Sequence, residues 1–359
     1  NAERGPGGEA PTERDPIFGG ATPLLLPFLT LLLACSDGRI PLTLYSPHGR
    51  DHLTLLENQF ERLNPDIDVR WLDLGSQEVL DRLRLERVNP QADVWFGGPT
   101  TLFERGIAES LLAPYRPSWG DRVDSSGIGP DDLYYPAYRT PAIIAYNNAA
   151  VPDSLAPQDW DEVLEPKWRD KVLIRDPVAS GTMRAIWGLI IQRSLQRTGD
   201  TAWGMAWLRR LDGQTRTYAL SPALLDAKLA RQEGLVTLWD LPDILIARSK
   251  GMPFGYTFPR SGTVVIDDAI ALVRNARHPE AAKRFIEYVG SVDGQVLAAE
   301  GVWRLPARHD LPPERVPAWV ADVEARMIVE PMDWALLTRE GSKWMGYWDQ
   351  QVRNSGKRP

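Results

Sequence analysis

The chain has 359 residues, of which 43% are hydrophobic and 25% charged, and its formal net charge is −7 at pH 7. Because single hydrophobic cores stop growing at roughly 250–300 residues, this length predicts about two domains. The acidic balance argues against a nucleic-acid-binding protein, which needs a basic face for phosphates.

An apolar stretch near the N-terminus predicts a leader segment. Residues 21–34 are mostly apolar and end next to Cys35, the single cysteine of the chain. The stretch is shorter than the roughly 20 residues that span a bilayer, and its small last residue is typical of a secretory signal. Residues 1–20 carry more acidic than basic side chains, so a buried apolar helix is the alternative. Pro23 and Pro27 disfavour such a helix.

The end of this stretch, Leu32-Leu33-Ala34-Cys35, resembles the bacterial lipobox. The resemblance implies that Cys35 is lipidated and starts the mature chain, with residues 1–38 serving as signal peptide and tether. Two acyl chains on one cysteine suffice for stable membrane anchoring. We therefore expect an exported, lipid-anchored protein, in the periplasm or on the outer face of the cell membrane.

Strands and helices alternate along the first part of the predicted mature chain. Hydrophobic spacing predicts strands at 40–45, 67–72 and 92–96, with a helix after each of the first two. This order is typical of a parallel sheet, whose ligands lie at the carboxyl ends of the strands.

A second α/β series starts at residue 171. It continues through apolar segments at 183–195, 203–211, 217–220, 223–229 and 235–239, strands at 263–266 and 269–273, a helix at 279–289, and a helical tail rich in tryptophan from about 317. A strand at 142–146 lies between the two series. Segments near 138–141 and 259–262 would cross between them and act as hinges.

Several short motifs, in this order, resemble one family. They are the opening strand and loop at 44–48, an Ala-Asp-Val strand at 91–96, an Arg…Tyr-Asn crossover at 139–147, a Pro-Lys-Trp-x-x-Lys segment at 166–171, a Pro-x-x-Ser-Gly-Thr loop at 177–182, and a helix at 278–288 before a Ser-x-x-Gly-Gln turn at 291–295. The chain is similar to the binding proteins of ATP-binding-cassette (ABC) importers that include ferric-iron, aminoethylphosphonate, sugar-phosphate and polyamine receptors.

This resemblance implies an α/β fold of the type II periplasmic-binding-protein class, with two lobes, a hinge and a ligand cleft between them. We expect residues 39–140 and 262–312 to form lobe I, and residues 141–261 and 313–359 to form lobe II. The implied function is that of a monomeric receptor that passes a small solute to an importer permease. No cofactor, no nucleic-acid partner and no catalytic activity are expected.

Loops at the ends of predicted strands supply candidate ligand contacts. Ser180-Gly181-Thr182 opens a helix, whose orphan N–H groups and partial positive charge receive anions. Ser76 opens another helix, and Gly97-Gly98 would let a ligand touch bare backbone. The alternatives are plain helix capping for the hydroxyls and tight-turn geometry for the glycines.

Charged and aromatic candidates follow other strands. Ser46 and His48 come after the first strand, and Arg139 offers a planar fork for a carboxylate or phosphate. Trp239 and Asp240 could hold a ligand amine through cation–π contact and charge. The last candidate, Asp267, lies at a predicted strand end. The alternatives are core packing for Trp239, helix capping for Asp240 and a solvated surface position for Arg139.

Departures from the iron-binding members favour an organic anion. In those members a pair of tyrosines from the second lobe binds the metal, whereas Trp239-Asp240 stands at the matching place here. The pair Tyr134-Tyr135 precedes the crossover instead. We therefore expect an organic phosphate or phosphonate, with Asp240 answering an amine if the ligand carries one. A ferric-iron receptor is the main alternative.

Three further alternatives are a polyamine receptor, a sensor domain and an enzyme on the same scaffold. The sequence contains no Gly-x-Ser-x-Gly, His-Glu-x-x-His or Gly-x-Gly-x-x-Gly motif, and Gly181-Thr182 lacks the lysine of a P-loop. The enzyme interpretation is therefore disfavoured.

Overall fold

The computed structural model describes residues 38–355. The predicted signal peptide and lipobox, including Cys35, lie outside the described residues. Within residues 38–355, no helix has the length and apolarity needed to cross a membrane.

Strands and helices alternate as the sequence predicts. The strands are β1 (Ile40–Ser46), β2 (Ile67–Asp73), β3 (Val94–Pro99), β4 (Leu112–Ala113), β5 (Tyr135–Asn147), β6 (Val172–Arg175), β7 (Thr215–Ala219), β8 (Val236–Asp240), β9 (Phe254–Thr257), β10 (Val265–Val273) and β11 (Leu305–Pro306). The helices are α1 (Gly49–Leu63), α2 (Ser76–Leu85), α3 (Thr100–Ala108), α4 (Gly181–Thr198), α5 (Ala202–Gln214), α6 (Pro222–Ala230), α7 (Leu241–Ser249), α8 (Pro279–Val289), α9 (Val292–Val302), α10 (Ala318–Arg326) and α11 (Trp334–Tyr347).

The strands form two sheets that share β5. Lobe I contains the order β2-β1-β3-β10-β5, and lobe II contains β5-β8-β6-β7. Residues 135–141 of β5 pair with β10, whereas residues 142–147 pair with β8 and β9. The predicted crossover at 138–141 is therefore the middle of one long strand, which joins the two lobes.

Parallel pairing repeats in the two lobes. In lobe I, β1 runs parallel to β2 and β3, and in lobe II, β6 runs parallel to β7 and β8. These strands are followed by helices that cover the sheets, as the βα alternation requires. Two lobes of parallel strands with covering helices therefore form an α/β fold, as the sequence predicts.

Each lobe has its own apolar core. In lobe I the neighbours Trp95 and Phe96 point to opposite faces of the sheet and join separate buried clusters. In lobe II the strand residue Leu238 shares a core with Trp187 of α4 and with Trp348, which follows α11. The predicted boundaries at 140/141, 261/262 and 312/313 stay predictions.

The structure corrects one predicted element. The strands expected at 263–266 and 269–273 are one strand, β10, with an irregular register around Asp268 where it pairs with β3 and β5. Asp267 and Asp268 thus lie inside a strand rather than at its end. In the sequence, Asp267 and Asp268 separate two predicted strands. In the structure, the irregular register accommodates both residues within one strand.

Replacing Gly290 by alanine should destabilise the protein by about 2 kcal/mol, because overpacking a core displaces its neighbours. A Cβ at this position would lie 1.9 Å from the buried ring of Trp119. The matched control is Gly346→Ala in α11, where a Cβ meets nothing within 4 Å. This control should gain up to about 1 kcal/mol from helix propensity. Urea unfolding midpoints measure both, and equal midpoints for the two variants would contradict the packing described.

Candidate ligand-binding site

A cavity of about 540 Å³ lies between the two lobes. Segments that follow β1, β2 and β3 line it from lobe I, and segments that follow β6, β7 and β8 line it from lobe II. Because carboxyl ends of parallel strands meet at one edge of each sheet, this is where an open α/β sheet places its ligand. The predicted inter-lobe cleft is confirmed.

Three helix N-termini, each beginning with or capped by a serine, open into this cavity. Ser76 is the first residue of α2, while Ser180 caps α4 and Ser221 caps α6. The Oγ of Ser180 accepts a hydrogen bond from the Met183 N–H at 3.2 Å. The capping alternative therefore holds for Ser180, yet the residue also lines the cavity. Helix N-termini aimed at one cavity favour a negative ligand group.

Gly181 allows the ends of α2 and α4 to meet. A Cβ on Gly181 would lie 2.5 Å from Pro99 and 3.0 Å from the Ser76 Oγ. Gly181 is therefore a packing residue and does not line the cavity, whereas its neighbour Thr182 does. The Thr182 hydroxyl donates a long hydrogen bond of 3.4 Å to the Asp240 carboxylate.

The loop after β1 brings His48 to the cavity. The Ser46 Oγ accepts a hydrogen bond from the His48 N–H at 3.2 Å. Ser46 itself is fully buried, and this bond stabilises the conformation of the loop. Burial lowers the pKa of His48, and the charge of Arg304 lowers it further. The imidazole is therefore a neutral wall of the cavity at pH 7.

Gly97 and Gly98, which the sequence predicts to follow the third strand, lie inside β3 and take different roles. Both have positive φ, +98° at Gly97 and +97° at Gly98. A Cβ on Gly97 would lie 2.5 Å from the His48 ring, so Gly97 makes room for that ring. Gly98 lines the cavity, and its N–H donates to the Asp268 carboxylate at 3.1 Å. The positive-φ geometry of both glycines and the backbone of Gly98 facing the cavity therefore occur together, although the sequence predicts them as alternatives.

Arg139 and Asp267, like Ser46, Gly97 and Gly181, do not line the cavity. Arg139 donates to the carbonyl of Pro306 at 3.0 Å and forms an ion pair with Glu324, and Asp267 sits across the ladder from it. The lining residues Thr140 and Asp268 are their next neighbours in β5 and β10. Since successive side chains of a strand point to opposite faces, Arg139 and Asp267 face away from the ligand space.

Arg175, at the carboxyl end of β6, is a lining residue that the sequence interpretation missed. It is 5% exposed, and its Nη1 donates to the Ala219 carbonyl at 3.2 Å. Its other N–H groups make no hydrogen bond within residues 38–355. The neighbouring Asp176 is held by Arg353 through bonds of 2.8 and 3.0 Å. Burial lowers the pKa of Arg175, which marks a desolvated cation suited to an anionic ligand.

Carboxylates gather elsewhere in the cavity. Asp240 caps α7 by accepting from the Asp243 N–H at 3.1 Å, and Asp243 accepts from the Trp239 indole at 3.1 Å. Trp239 and Asp240 both line the cavity, as predicted, together with Asp226 of α6. Burial and then the charge of Asp243 raise the pKa of Asp240 well above its usual range. Burial also raises the pKa of Asp243.

Arg304 supplies a buried cation beside these carboxylates. Its guanidinium lies 3.7 Å from Asp243 and 3.8 Å from Asp268, and it donates to the Thr140 hydroxyl at 3.3 Å. The two carboxylate distances exceed hydrogen-bond length, so Arg304 offsets the acidic charge without neutralising any one carboxylate.

The tyrosine pair considered for iron lies away from the cavity. Tyr134 donates to Glu104 and Tyr135 donates to Asp132, all in lobe I. Neither tyrosine lines the cavity. Within residues 38–355, no group of three or more histidine, cysteine, aspartate or glutamate side chains has an arrangement that could hold a metal ion.

Comparison with known proteins extends this description. The family model of the bacterial extracellular solute-binding protein matches residues 56–327. A putative 2-aminoethylphosphonate-binding periplasmic protein of Salmonella typhimurium is 27% identical over 256 residues, which cover 69% of this chain and 72% of the relative. A probable ABC transporter periplasmic-binding protein of Sinorhizobium fredii is 24% identical over 316 residues, 87% of this chain and 86% of the relative.

Solved structures share the fold at lower identity. The periplasmic binding protein AfuA from Actinobacillus pleuropneumoniae, with fructose-6-phosphate bound, has a TM-score of 0.75 at 21% identity, and the match covers 89% of this chain and 99% of that protein. A ferric binding protein from Campylobacter jejuni has a TM-score of 0.71 at 17% identity, covering 86% and 98%.

Fold and cleft define a type II periplasmic binding protein. The chain belongs to the family of bacterial extracellular solute-binding proteins. It is a periplasmic solute-binding protein of an ABC importer, from a family that binds small molecules for permeases and is not enzymatic. The predicted family resemblance is confirmed.

The buried carboxyl of Asp226 should make stability depend on pH. Burial, and then the charge of Asp243, raise the pKa of Asp226 to about 8. A raised folded pKa means that the folded state holds this proton more tightly than the unfolded chain does, so stability falls as pH rises through about 8. Asp226→Asn removes that loss and should stabilise the protein by about 2 kcal/mol more at pH 9 than at pH 4.

Chemical unfolding at the two pH values measures this difference. The matched control is Asp121→Asn, because the Asp121 side chain is 76% exposed. An equal effect of Asp226→Asn at both pH values would mean that the carboxyl is not desolvated.

Proposed function

We propose that this receptor captures a small organic anion of the phosphate or phosphonate type and delivers it to an ABC permease, as a monomer anchored through a lipid on Cys35. The observation that carries the choice of an anion is Arg175. Its desolvated guanidinium faces a cavity into which the N-termini of α2, α4 and α6 also open. Arginine donors, serine hydroxyls and helix N-termini together match the acceptor oxygens of a phosphonate or phosphate group.

Two relatives support the same ligand class. One carries 2-aminoethylphosphonate in its name and one solved structure has fructose-6-phosphate bound, and both ligands end in a tetrahedral oxyanion. Iron-binding relatives exist as well, among them an iron uptake protein of Synechocystis. The ferric-ion alternative has less support here, because Tyr134 and Tyr135 are bonded within lobe I and lie away from the cavity.

Replacing Arg175 by glutamine should weaken the binding of the anion by about 30-fold, the cost of a lost charge-assisted hydrogen bond in a buried site. Isothermal titration calorimetry with a panel of ethylphosphonate, 2-aminoethylphosphonate, fructose 6-phosphate and ferric citrate measures the affinities. The matched control is Arg169→Gln on the exposed surface of lobe II, which should leave all affinities unchanged. Tight binding of ferric citrate alone, unaffected by Arg175→Gln, would contradict the proposal.

The lipid anchor has its own test. Expressed with its leader in a bacterial host, the protein should fractionate with membranes and incorporate labelled palmitate, because two acyl chains hold a protein at a bilayer. Cys35→Ala should abolish the label and release the protein from the membrane fraction, while Ser36→Ala serves as the control. Palmitate labelling that survives in Cys35→Ala would contradict the assignment.

A further inference from the structure

The charges lining the cleft are unevenly distributed. The lining includes seven carboxylates but four cationic side chains of arginine and lysine. Lys250 is committed to Asp51 at 2.5 Å. Arg175 has Asp176 and Glu78 as its charged neighbours. Arg50 faces Asp73, Lys250 also faces Asp226, and Arg304 is the cation beside Asp240, Asp243 and Asp268.

Three of these acids, Asp226, Asp240 and Asp243, share only two cations, Lys250 and Arg304, and we call the three acids the acidic subsite. Asp243 of α7 lies close enough to Asp226 of α6 for its charge to raise the pKa of Asp226, and one oxygen of Asp226 is buried without a hydrogen-bond partner within residues 38–355. Arg304 approaches Asp243 no closer than 3.7 Å. Because burial disfavours the ionised forms of these carboxyls, a cation placed among them would favour ionisation and bind to the resulting charge.

A fourth carboxylate faces the acidic subsite from the other lobe. Asp73 ends β2 of lobe I and lines the same cavity, and burial and then the charge of Asp243 raise its pKa. Closing the two lobes therefore brings carboxylates of both lobes toward one another. A ligand cation held between them would turn this repulsion into a contribution to closure.

Trp239 adds an aromatic surface at the same place. Its indole lines the cavity, and its N–H donates to Asp243. Indole rings attract ammonium groups through their negative faces, and the ring is oriented here by the carboxylate that it bonds.

The opposite charge marks a different part of the cavity. Arg175 has charged neighbours that include none of the acidic subsite, and it is the buried, largely unbonded cation described above. Arg175 therefore indicates a bound ligand independently of the acidic subsite. One cavity therefore presents an anion-binding part and a cation-binding part.

We propose that the ligand is a zwitterion, a phosphonate or phosphate that carries a protonated amine, with its oxyanion at Arg175 and its ammonium group at Asp226, Asp240 and Asp243. This inference rests on the proposed function and narrows its ligand class to aminoalkyl phosphonates or phosphate esters. A dication of the polyamine type fits less well, because Arg175 and Arg304 would repel it.

Calorimetry with matched probes tests the proposal. Two pairs differ only in the amine: 2-aminoethylphosphonate against ethylphosphonate, and 3-aminopropylphosphonate against propylphosphonate. In at least one pair the amine should tighten binding by about tenfold or more, as a charge-assisted contact would. Putrescine, which has amines at both ends, should bind more weakly than the better aminophosphonate.

Variants of the acidic subsite separate a ligand contact from a structural role. Asp243→Asn and Asp226→Asn should each reduce the affinity for the aminophosphonate by about tenfold and leave the amine-free analogue unchanged or bound more tightly. Asp121→Asn is the matched surface control. A structural defect would weaken both members of a pair alike, and that result would overturn the proposal.

The remaining outcomes distinguish the two claims. Equal affinities within both pairs would overturn the zwitterion while leaving the anion-binding function standing. Tighter binding of putrescine than of every phosphonate would overturn both claims. Binding of no phosphonate at all by the wild-type protein would also overturn both.

Discussion

A desolvated guanidinium at the edge of a parallel sheet is the constraint on which the binding site depends. Arg175 ends β6, and Asp176, which would otherwise neutralise it, is occupied by Arg353 from the C-terminal segment. Keeping a buried cation without a full set of partners costs stability. Arg175 lines the same cavity as the N-termini of α2, α4 and α6, where a bound oxyanion would recover that cost.

Parallel topology explains why the charges converge. In each lobe, parallel strands and their following helices deliver loop after loop to the same edge, and β5 joins the two edges across one cavity. The repeated strand–helix unit is enough to bring these loops together. The strands set the positions, and the residues at or just after the carboxyl end of each strand decide which ligand chemistry is offered.

Contacts between the lobes describe a closed cleft. Lys250 of lobe II pairs with Asp51 of lobe I at 2.5 Å, and the Gln77 N–H of α2 donates to the Ala179 carbonyl before α4 at 3.3 Å. Gly181 permits this approach because any side chain there would strike Pro99. The ion pair is half exposed, so it contributes little on its own, about 1 kcal/mol or less. This ion pair therefore adds little to the stability of the closed cleft.

Much of the fold followed from hydrophobic period and from strand–helix alternation, and the helix ends at Ser76 and Ser180 were placed correctly at the cavity. The sequence pattern predicts Arg139 and Asp267 in the ligand site, but their side chains face away from it. Which face a strand residue points to depends on the pairing register, and a shift of one residue moves the side chain to the other face. Within β10 the irregular pairing near Asp268 conceals that register from a reading of alternation alone.

The missed residues had other causes. Arg304 follows α9, far in sequence from the Asp243 and Asp268 that it faces, so the grouping exists in three dimensions only. Asp226 and Asp243 looked like ordinary polar positions on short helices. Arg175 alone left a usable signal, because it is the last residue of an apolar strand that leads into the Ser180 loop.

The ligand's oxyanion should lie at Arg175 and its ammonium group at the acidic subsite of the same cleft. A crystal structure of the protein with 2-aminoethylphosphonate would show both positions. We expect phosphonate oxygens at about 3 Å from the Arg175 guanidinium and the amine nitrogen at about 3 Å from the carboxylate of Asp243 or Asp226. A phosphonate bound at Arg304 with the amine turned toward Arg175, or a ligand outside the cleft, would contradict this arrangement.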